Sequence, residues 1–169
     1  LGMTSRSTMS TAQQLYEGVD IGGGTVGLIT YMRTDSFSLA NEALREIRGY
    51  IQKKFDSDYL PHAPIQYRSK SKNAQEAHEA IRPTSVVRTP DSVRKFLTAD
   101  QASLYEMIWK RTLACQMTPA KYDTTSVDIS VGHANTLFRA TGQILVFPGF
   151  MAVYLEDADD VEQEEEAKL

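Results

Sequence analysis

Gly22-Gly23-Gly24-Thr25-Val26-Gly27-Leu28-Ile29-Thr30-Tyr31-Met32-Arg33-Thr34-Asp35-Ser36 is the stretch on which the fold turns. Its first six residues fit the spacing G-x-G-x-x-G. A dinucleotide fingerprint, however, follows a strand and opens a helix, and here the glycines precede an apolar run. That spacing therefore does not make a dinucleotide site. Val26 to Tyr31 reads instead as a short buried strand. On its N-terminal side, Ser7 precedes Met9, Ala12, Leu15 and Tyr16 at helical spacing, which predicts a short helix to about Glu17 that the glycines stop. On its C-terminal side, Ser38 can cap a helix whose Ala43, Ile47, Tyr50, Ile51 and Phe55 line one face.

Further along, Asp56 to Lys72 contains two prolines and little periodicity, which predicts a surface excursion, with a short helical turn around Ala74 to Ala80. Asp91 to Leu97 can form a short helix. Thr98 with Gln101 makes a capping box for a longer one whose buried stripe is Leu104, Ile108, Trp109 and Leu113. The period then changes. Val127, Ile129 and Val131 alternate with polar residues, Gly132 to Asn135 offers a turn, and Leu137 to Ala140 can return. A Pro148-Gly149 turn leads into Phe150 to Leu155 as one more strand. The expected class is α+β, mainly helical: a domain over residues 1–119, a partial β-rich domain over 120–156, and an acidic tail over 157–169. Three strands make a meagre sheet with exposed edges. With the abrupt Leu1-Gly2-Met3 start, this gives the expectation of a piece excised from a longer protein.

Composition bounds the function classes. The apolar fraction of 41% and charged fraction of 24% are near globular averages, and no apolar run approaches the ~20 residues of a membrane span. The single cysteine, Cys115, cannot form an internal disulfide, and no signal peptide is visible, so a cytoplasmic setting is expected. The net charge of −4 hides an asymmetry. Residues 156–169 hold eight acids and one lysine, leaving the remainder at +3. Arg68, Lys70, Lys72, Arg82, Arg88, Arg94 and Lys95 crowd into one stretch that suits a modest anion-binding surface, although such clusters are more often a solvated face. His62, His78 and His133 are scattered and Cys115 lies in a predicted helix, so no metal site is expected.

Tyr31 and Arg33 are the residues best suited to chemistry. In extended backbone, positions two apart share a face. A phenol, with a pKa of about 10, attacks a phosphodiester poorly unless something favours the phenolate and neutralises charge on the phosphate oxygens. A guanidinium does both, and its planar fork can hold two phosphate oxygens without losing its charge. Thr34, Asp35 and Ser36 add short polar groups at a strand-to-helix corner. Spacing alone leaves a structural tyrosine beside a solvent-facing arginine as the commoner outcome.

Three blocks sharpen the reading. Gly27 to Ser36, with Thr30-Tyr31-Met32-Arg33-Thr34-Asp35-Ser36 at its heart, resembles the active-site segment of bacterial DNA topoisomerase I, a type IA topoisomerase. Gln75-Glu76-Ala77-His78-Glu79-Ala80-Ile81-Arg82-Pro83-Thr84 resembles a motif downstream in the same domain. Ala114-Cys115-Gln116-Met117-Thr118-Pro119-Ala120-Lys121-Tyr122-Asp123 is similar to the family's passage into its β-rich hinge domain. The sequence departs from the pattern at Gly22 to Thr25, where many relatives carry an acidic residue.

The resemblance implies a tyrosine domain of winged-helix-like type followed by part of the hinge. It implies that Tyr31 attacks one DNA strand, takes the 5′ phosphate and releases a 3′ hydroxyl, so that another strand can pass and negatively supercoiled DNA relaxes without ATP. By motif position Tyr31 and Arg33 would be catalytic, with Arg33, Thr34, His78 and Arg82 contacting DNA. The partners implied are single-stranded and negatively supercoiled DNA and the remaining domains of the same polypeptide. Mg2+ would serve the intact enzyme through acidic ligands of a Toprim domain not seen in this sequence, so the piece alone is expected to be inactive. Asp157-Ala158-Asp159 mimics that domain's D-x-D element but reads as part of a solvated tail. The alternative is a non-catalytic DNA-binding module that uses the basic stretch for phosphate contacts, in which Tyr31→Phe would leave function intact.

Overall fold

The computed structural model describes residues 1–67, 79–130 and 137–155. Of these, 41% are helical and 20% lie in strands, a mixed class weighted toward helix. The chain divides into two compact units, Leu1–Met117 and a second from Thr118 onward.

In the first unit, helix α1 spans Ser5–Glu17 and opens at Thr4, whose hydroxyl accepts the Ser7 N–H, so its start lies ahead of the Ser7 expected from sequence. Its inward face is Thr11, Ala12 and Leu15. Met9 and Tyr16, grouped with that face by spacing, are exposed. Gly18 ends the helix at φ 122°. The glycines that follow close a small antiparallel hairpin of β1 (Val19–Asp20) and β2 (Thr25–Val26).

The expected strand from Val26 to Tyr31 is not a ladder. Only Val26 belongs to a strand, and Ile29 makes one isolated bridge to Pro83. The segment is instead sandwiched between two partners. Leu28 N–H donates to the Leu15 carbonyl of α1 at 2.8 Å, and Thr84 N–H donates to the Leu28 carbonyl at 2.9 Å. Leu28 and Ile29 are fully buried, which explains their apolar character, while the backbone bonds go to a helix end and a loop.

Helix α2 runs Asn41–Lys54 from Ala40, not Ser38, and buries Ala43, Leu44, Ile47 and Ile51. The excursion after it is tied down by side chains. Arg48 donates to the carbonyls of Pro61 and Ala63, and the buried Gln116 amide pairs both ways with the backbone of Ile65. The helical turn expected around Ala74 to Ala80 falls mostly outside the described residues, and Glu79 and Ala80 are not helical. A four-residue helix α3 (Pro90–Val93) passes into a 3-10 turn, Arg94–Phe96.

Helix α4, Ala99–Ala114, carries the capping box read from Thr98 and Gln101. It packs on α1, α2 and α3, so its buried surface is broader than one stripe. Leu104, Tyr105, Trp109 and Leu113 are buried, whereas Ile108 is only half-buried. The polar ends of the buried aromatics are satisfied: Tyr105 Oη donates to the Arg88 carbonyl at 2.7 Å and Trp109 Nε1 to the Val86 carbonyl at 2.9 Å.

The second unit is built on an antiparallel hairpin, β3 (Lys121–Ser130) with β4 (Leu137–Phe147), paired from Lys121 with Phe147 to Ser130 with Leu137. Phe150 to Leu155, expected as a strand, contains a 3-10 turn at Gly149–Ala152. Gly149 sits at φ 53°, where a side chain would collide with the Thr118 and Pro119 carbonyls. The positive φ and the close approach together call for glycine at this position. The acidic tail lies outside the described residues.

Candidate nucleic-acid site around Tyr31

Tyr31 stands where the pinned segment ends and an exposed loop begins. Its root is fixed by Thr30. The Thr30 N–H donates to the Arg82 carbonyl at 2.9 Å, the Thr30 hydroxyl donates to the Ala80 carbonyl at 2.8 Å, and the Arg82 N–H donates to that hydroxyl at 3.0 Å. Tyr31 is 39% exposed. Its ring lies 5.2 Å from that of Tyr16 at an interplanar angle of 59°. The Arg33 guanidinium carbon is 5.5 Å from the Tyr31 ring centroid, within cation–π range.

Met9, Tyr31, Met32, Arg33, Thr34 and Asp35 line an open recess of about 520 Å³. Tyr31, Arg33 and Thr34 are thus brought together. Asp35 lines the same recess. Arg33, Thr34 and Asp35 are all exposed, so the recess presents a phenol, a guanidinium and a hydroxyl to solvent from one loop.

Arg82 is placed differently. Its guanidinium is engaged bidentately by Glu79, Nε to Oε1 at 3.0 Å and Nη2 to Oε2 at 2.9 Å, and Nη1 donates to the Pro83 carbonyl at 2.9 Å. Its side chain is only 14% exposed. That arrangement braces the backbone around Thr30. His78 lies outside the described residues, as do Arg68, Lys70 and Lys72 of the basic stretch. Of the remaining cations there, Arg88 donates to the Thr84 hydroxyl, Arg94 lies 3.7 Å from Glu106, and Lys95 sits over the Phe96 ring.

Sequence reasoning misses two residues that reach the Tyr31 loop, Tyr16 at its ring and Glu79 at its far end. Spacing groups Tyr16 with the buried face of α1 because it follows Leu15 in the apolar pattern. Sequence reasoning gives Glu79 no role of its own. The available signal was its place three residues before Arg82, a spacing at which opposite charges pair readily. Among the described residues no group of three or more His, Cys, Asp or Glu is disposed to hold a metal ion, and no helix is long and apolar enough to cross a membrane.

A family model described as DNA topoisomerase matches residues 1–169, the whole chain. The chain belongs to the DNA topoisomerase family. Among similar proteins, DNA topoisomerase 1 of Rickettsia felis is 51% identical over 169 residues, covering 100% of this chain and 22% of that protein. DNA topoisomerase 1 of Xylella fastidiosa strain Temecula1 is 53% identical over 167 residues, 98% of this chain and 20% of that protein. The solved structure of full-length topoisomerase I from Thermotoga maritima superposes with a TM-score of 0.78 at 39% identity, over 93% of this chain and 24% of that one. This topoisomerase-family chain therefore spans about a fifth of the length of the curated relatives it matches.

Proposed function

We propose that the chain is the part of a type IA DNA topoisomerase that carries the nucleophile, Tyr31. The phenol oxygen attacks a phosphodiester of a single strand. A bond forms from that oxygen to phosphorus, the bond from phosphorus to the 3′ oxygen breaks, the phenol proton is lost, and the departing 3′ oxygen gains a proton. The 5′-phosphotyrosine conserves the energy of the broken linkage. The 3′ hydroxyl can therefore reverse the attack after another strand has passed, and negatively supercoiled DNA relaxes without ATP.

Arg33 places a permanent positive charge beside the ring and within reach of a phosphate held against it, which stabilises negative charge developing on the phosphate oxygens. Thr34 supplies a hydroxyl to the same phosphate backbone from the rim of the recess. His78 is proposed as a further DNA contact. Arg82, held by Glu79, acts on the site through the backbone of Thr30.

The observation that carries this reading is the exposed Tyr31 phenol beside the Arg33 guanidinium, on a loop whose root is fixed by hydrogen bonds to Ala80 and Arg82. Residues 1–119 would be the winged-helix-like tyrosine domain and residues 120–156 part of the β-rich hinge, with residues 157–169 as an acidic tail. By the resemblance to type IA topoisomerases, magnesium would be held by acidic residues in other domains of the polypeptide. Single-stranded and negatively supercoiled DNA are the proposed substrates, and the bacterial cytoplasm the proposed location.

The test is covalent capture. Full-length protein is incubated with a labelled single-stranded oligonucleotide and Mg2+, then denatured, and the protein–DNA adduct is counted. Wild type forms it and Tyr31→Phe does not. An adduct that persists in Tyr31→Phe removes Tyr31 from the chemistry.

A further inference from the structure

We infer that Glu79 is a positioning residue for the Tyr31 loop, because its carboxylate ties the far end of that loop, at Ala40, to the arginine that holds the near end, at Thr30. The inference rests on the reading of Tyr31 as nucleophile.

The loop over residues 31–39 carries the exposed Tyr31, Arg33, Thr34 and Asp35. Both of its ends stand on one short segment, residues 79–84. At the near end, the Thr30 amide and hydroxyl are bound to the backbone of Ala80 and Arg82. At the far end, Ala80 N–H donates to the Ser38 carbonyl at 2.8 Å, and Ala40 N–H donates to Glu79 Oε1 at 2.8 Å. Ala80 bonds to both ends through its backbone, and an ion pair adds a second link, since the Glu79 oxygen that accepts from Ala40 and its partner oxygen receive the Arg82 guanidinium.

The chemistry at Ala40 explains why a carboxylate is needed from outside. Ala40 is the N-cap of α2, yet it has no side chain able to accept a hydrogen bond, and no side-chain cap is made. Glu79 brings a negative charge to that end of the helix, where the backbone dipole favours it. Its side chain is 28% exposed and that of Arg82 14%, so the pair is partly shielded and its bidentate geometry is held. Together these bonds make the loop a hoop with two fixed feet and set where the Tyr31 oxygen sits between them. A displacement of about 1 Å at a reacting atom can cost on the order of 100-fold in rate. DNA affinity, spread over many phosphate contacts, depends far less on the position of one oxygen.

The experiment uses the full-length enzyme with a labelled single-stranded oligonucleotide and measures two quantities: the single-turnover rate of adduct formation with Mg2+, and the dissociation constant for the same strand. Glu79→Ala is expected to slow adduct formation by about 10- to 100-fold while changing affinity less than about twofold. Glu79→Gln keeps an acceptor for the Ala40 amide but loses the ion pair, and should fall between Glu79→Ala and wild type. If Glu79→Ala fails to fold, Glu79→Gln decides. The inference is overturned if the folded variants cleave within twofold of wild type, or if affinity falls as much as rate. Tyr31→Phe is measured beside them. An adduct in that variant sinks the nucleophile reading and this inference with it, whereas loss of adduct there with wild-type cleavage in the Glu79 variants sinks this inference alone.

Discussion

The guanidinium of Arg33 lies 5.5 Å from the centre of the Tyr31 ring, and both side chains are exposed on the same loop. On the proposed reading, that charge would also serve a phosphate docked on the ring edge. Arg33→Ala in the full-length enzyme should slow adduct formation by about 100- to 1,000-fold, the usual consequence of losing one stabiliser of developing oxyanion charge. Arg33→Lys should recover only part, because an ammonium lacks the planar fork. Unchanged single-turnover rates in Arg33→Ala would remove it from the site.

The buried phenol of Tyr105 makes stability depend on pH at the alkaline end. Burial is the main cause that pushes this group from 10.0 up to about 12. Arg88 pulls it back and Glu46 adds to the rise. The folded state therefore holds the proton more tightly than the unfolded state. The contribution is complete below about pH 10 and is lost as pH climbs toward about 12, a difference on the order of 2 to 3 kcal/mol. Burial raises Tyr50 and Tyr67 in the same direction. Urea unfolding of the 169-residue chain between pH 9 and pH 11.5 should show stability falling, with a shallower fall in Tyr105→Phe. An identical slope in the variant would show that Tyr105 does not carry the effect.

The elements readable in the sequence were those whose signal is local. Thr98 and Gln101 announce the start of α4 because the capping box is closed by residues three apart, and Ala43, Ile47 and Ile51 mark α2 because one helix face meets one core. The stretch from Val26 to Tyr31 misleads for the opposite reason. Its apolar residues are buried as a strand's would be, but its hydrogen bonds run to Leu15 and to the 82–84 segment, which no periodicity reveals. Phe150 to Leu155 misleads likewise, since a 3-10 turn at Gly149–Ala152, entered through a glycine at positive φ, takes the place of the expected strand. At the site, Tyr31, Arg33 and Thr34 were legible because they are neighbours in sequence. Glu79 and Tyr16 reach the Tyr31 loop from elsewhere in the chain, and only tertiary structure shows it.

Trp109 crosses the core with its ring edge-on to Tyr50 and its indole N–H donating to the Val86 carbonyl at 2.9 Å. Trp109→Phe removes that donor and leaves the carbonyl of a buried residue without it. The expected loss is about 1 to 3 kcal/mol for the unsatisfied acceptor, with a further contribution from the smaller ring. Urea unfolding monitored by circular dichroism measures it, and a midpoint equal to wild type would contradict the assignment.

Cys115 should react slowly in the folded chain. Burial pushes its thiol up, against smaller downward pulls from Gln116 and Arg111, and its Sγ donates to the Thr112 carbonyl at 3.0 Å. The thiolate is the reactive form, so a raised pKa leaves less of it at neutral pH. A disulfide reagent at pH 7.5 should label the native chain more slowly than the urea-unfolded chain, because less thiolate is present in the fold. Equal rates would mean the thiol is open to solvent.

Gly27 links the packing of α1 to the placement of Tyr31. A Cβ at this position would lie 2.7 Å from the Tyr16 carbonyl oxygen, closer than carbon and backbone oxygen can sit without a shift. The next residue donates from Leu28 N–H to Leu15 at 2.8 Å, so the end of α1 and the Tyr31 segment cannot separate without losing a buried hydrogen bond. Gly27→Ala should therefore cost about 1 to 3 kcal/mol in stability, as overpacking does. It should also change the Tyr16–Tyr31 approach and slow adduct formation in the full-length enzyme. Gly23→Ala, where a Cβ meets nothing within 4 Å, is the matched control and should leave the adduct rate near wild type. If Gly27→Ala behaves like Gly23→Ala in both urea unfolding and single-turnover cleavage, the close contact between α1 and this segment does not constrain the nucleophile.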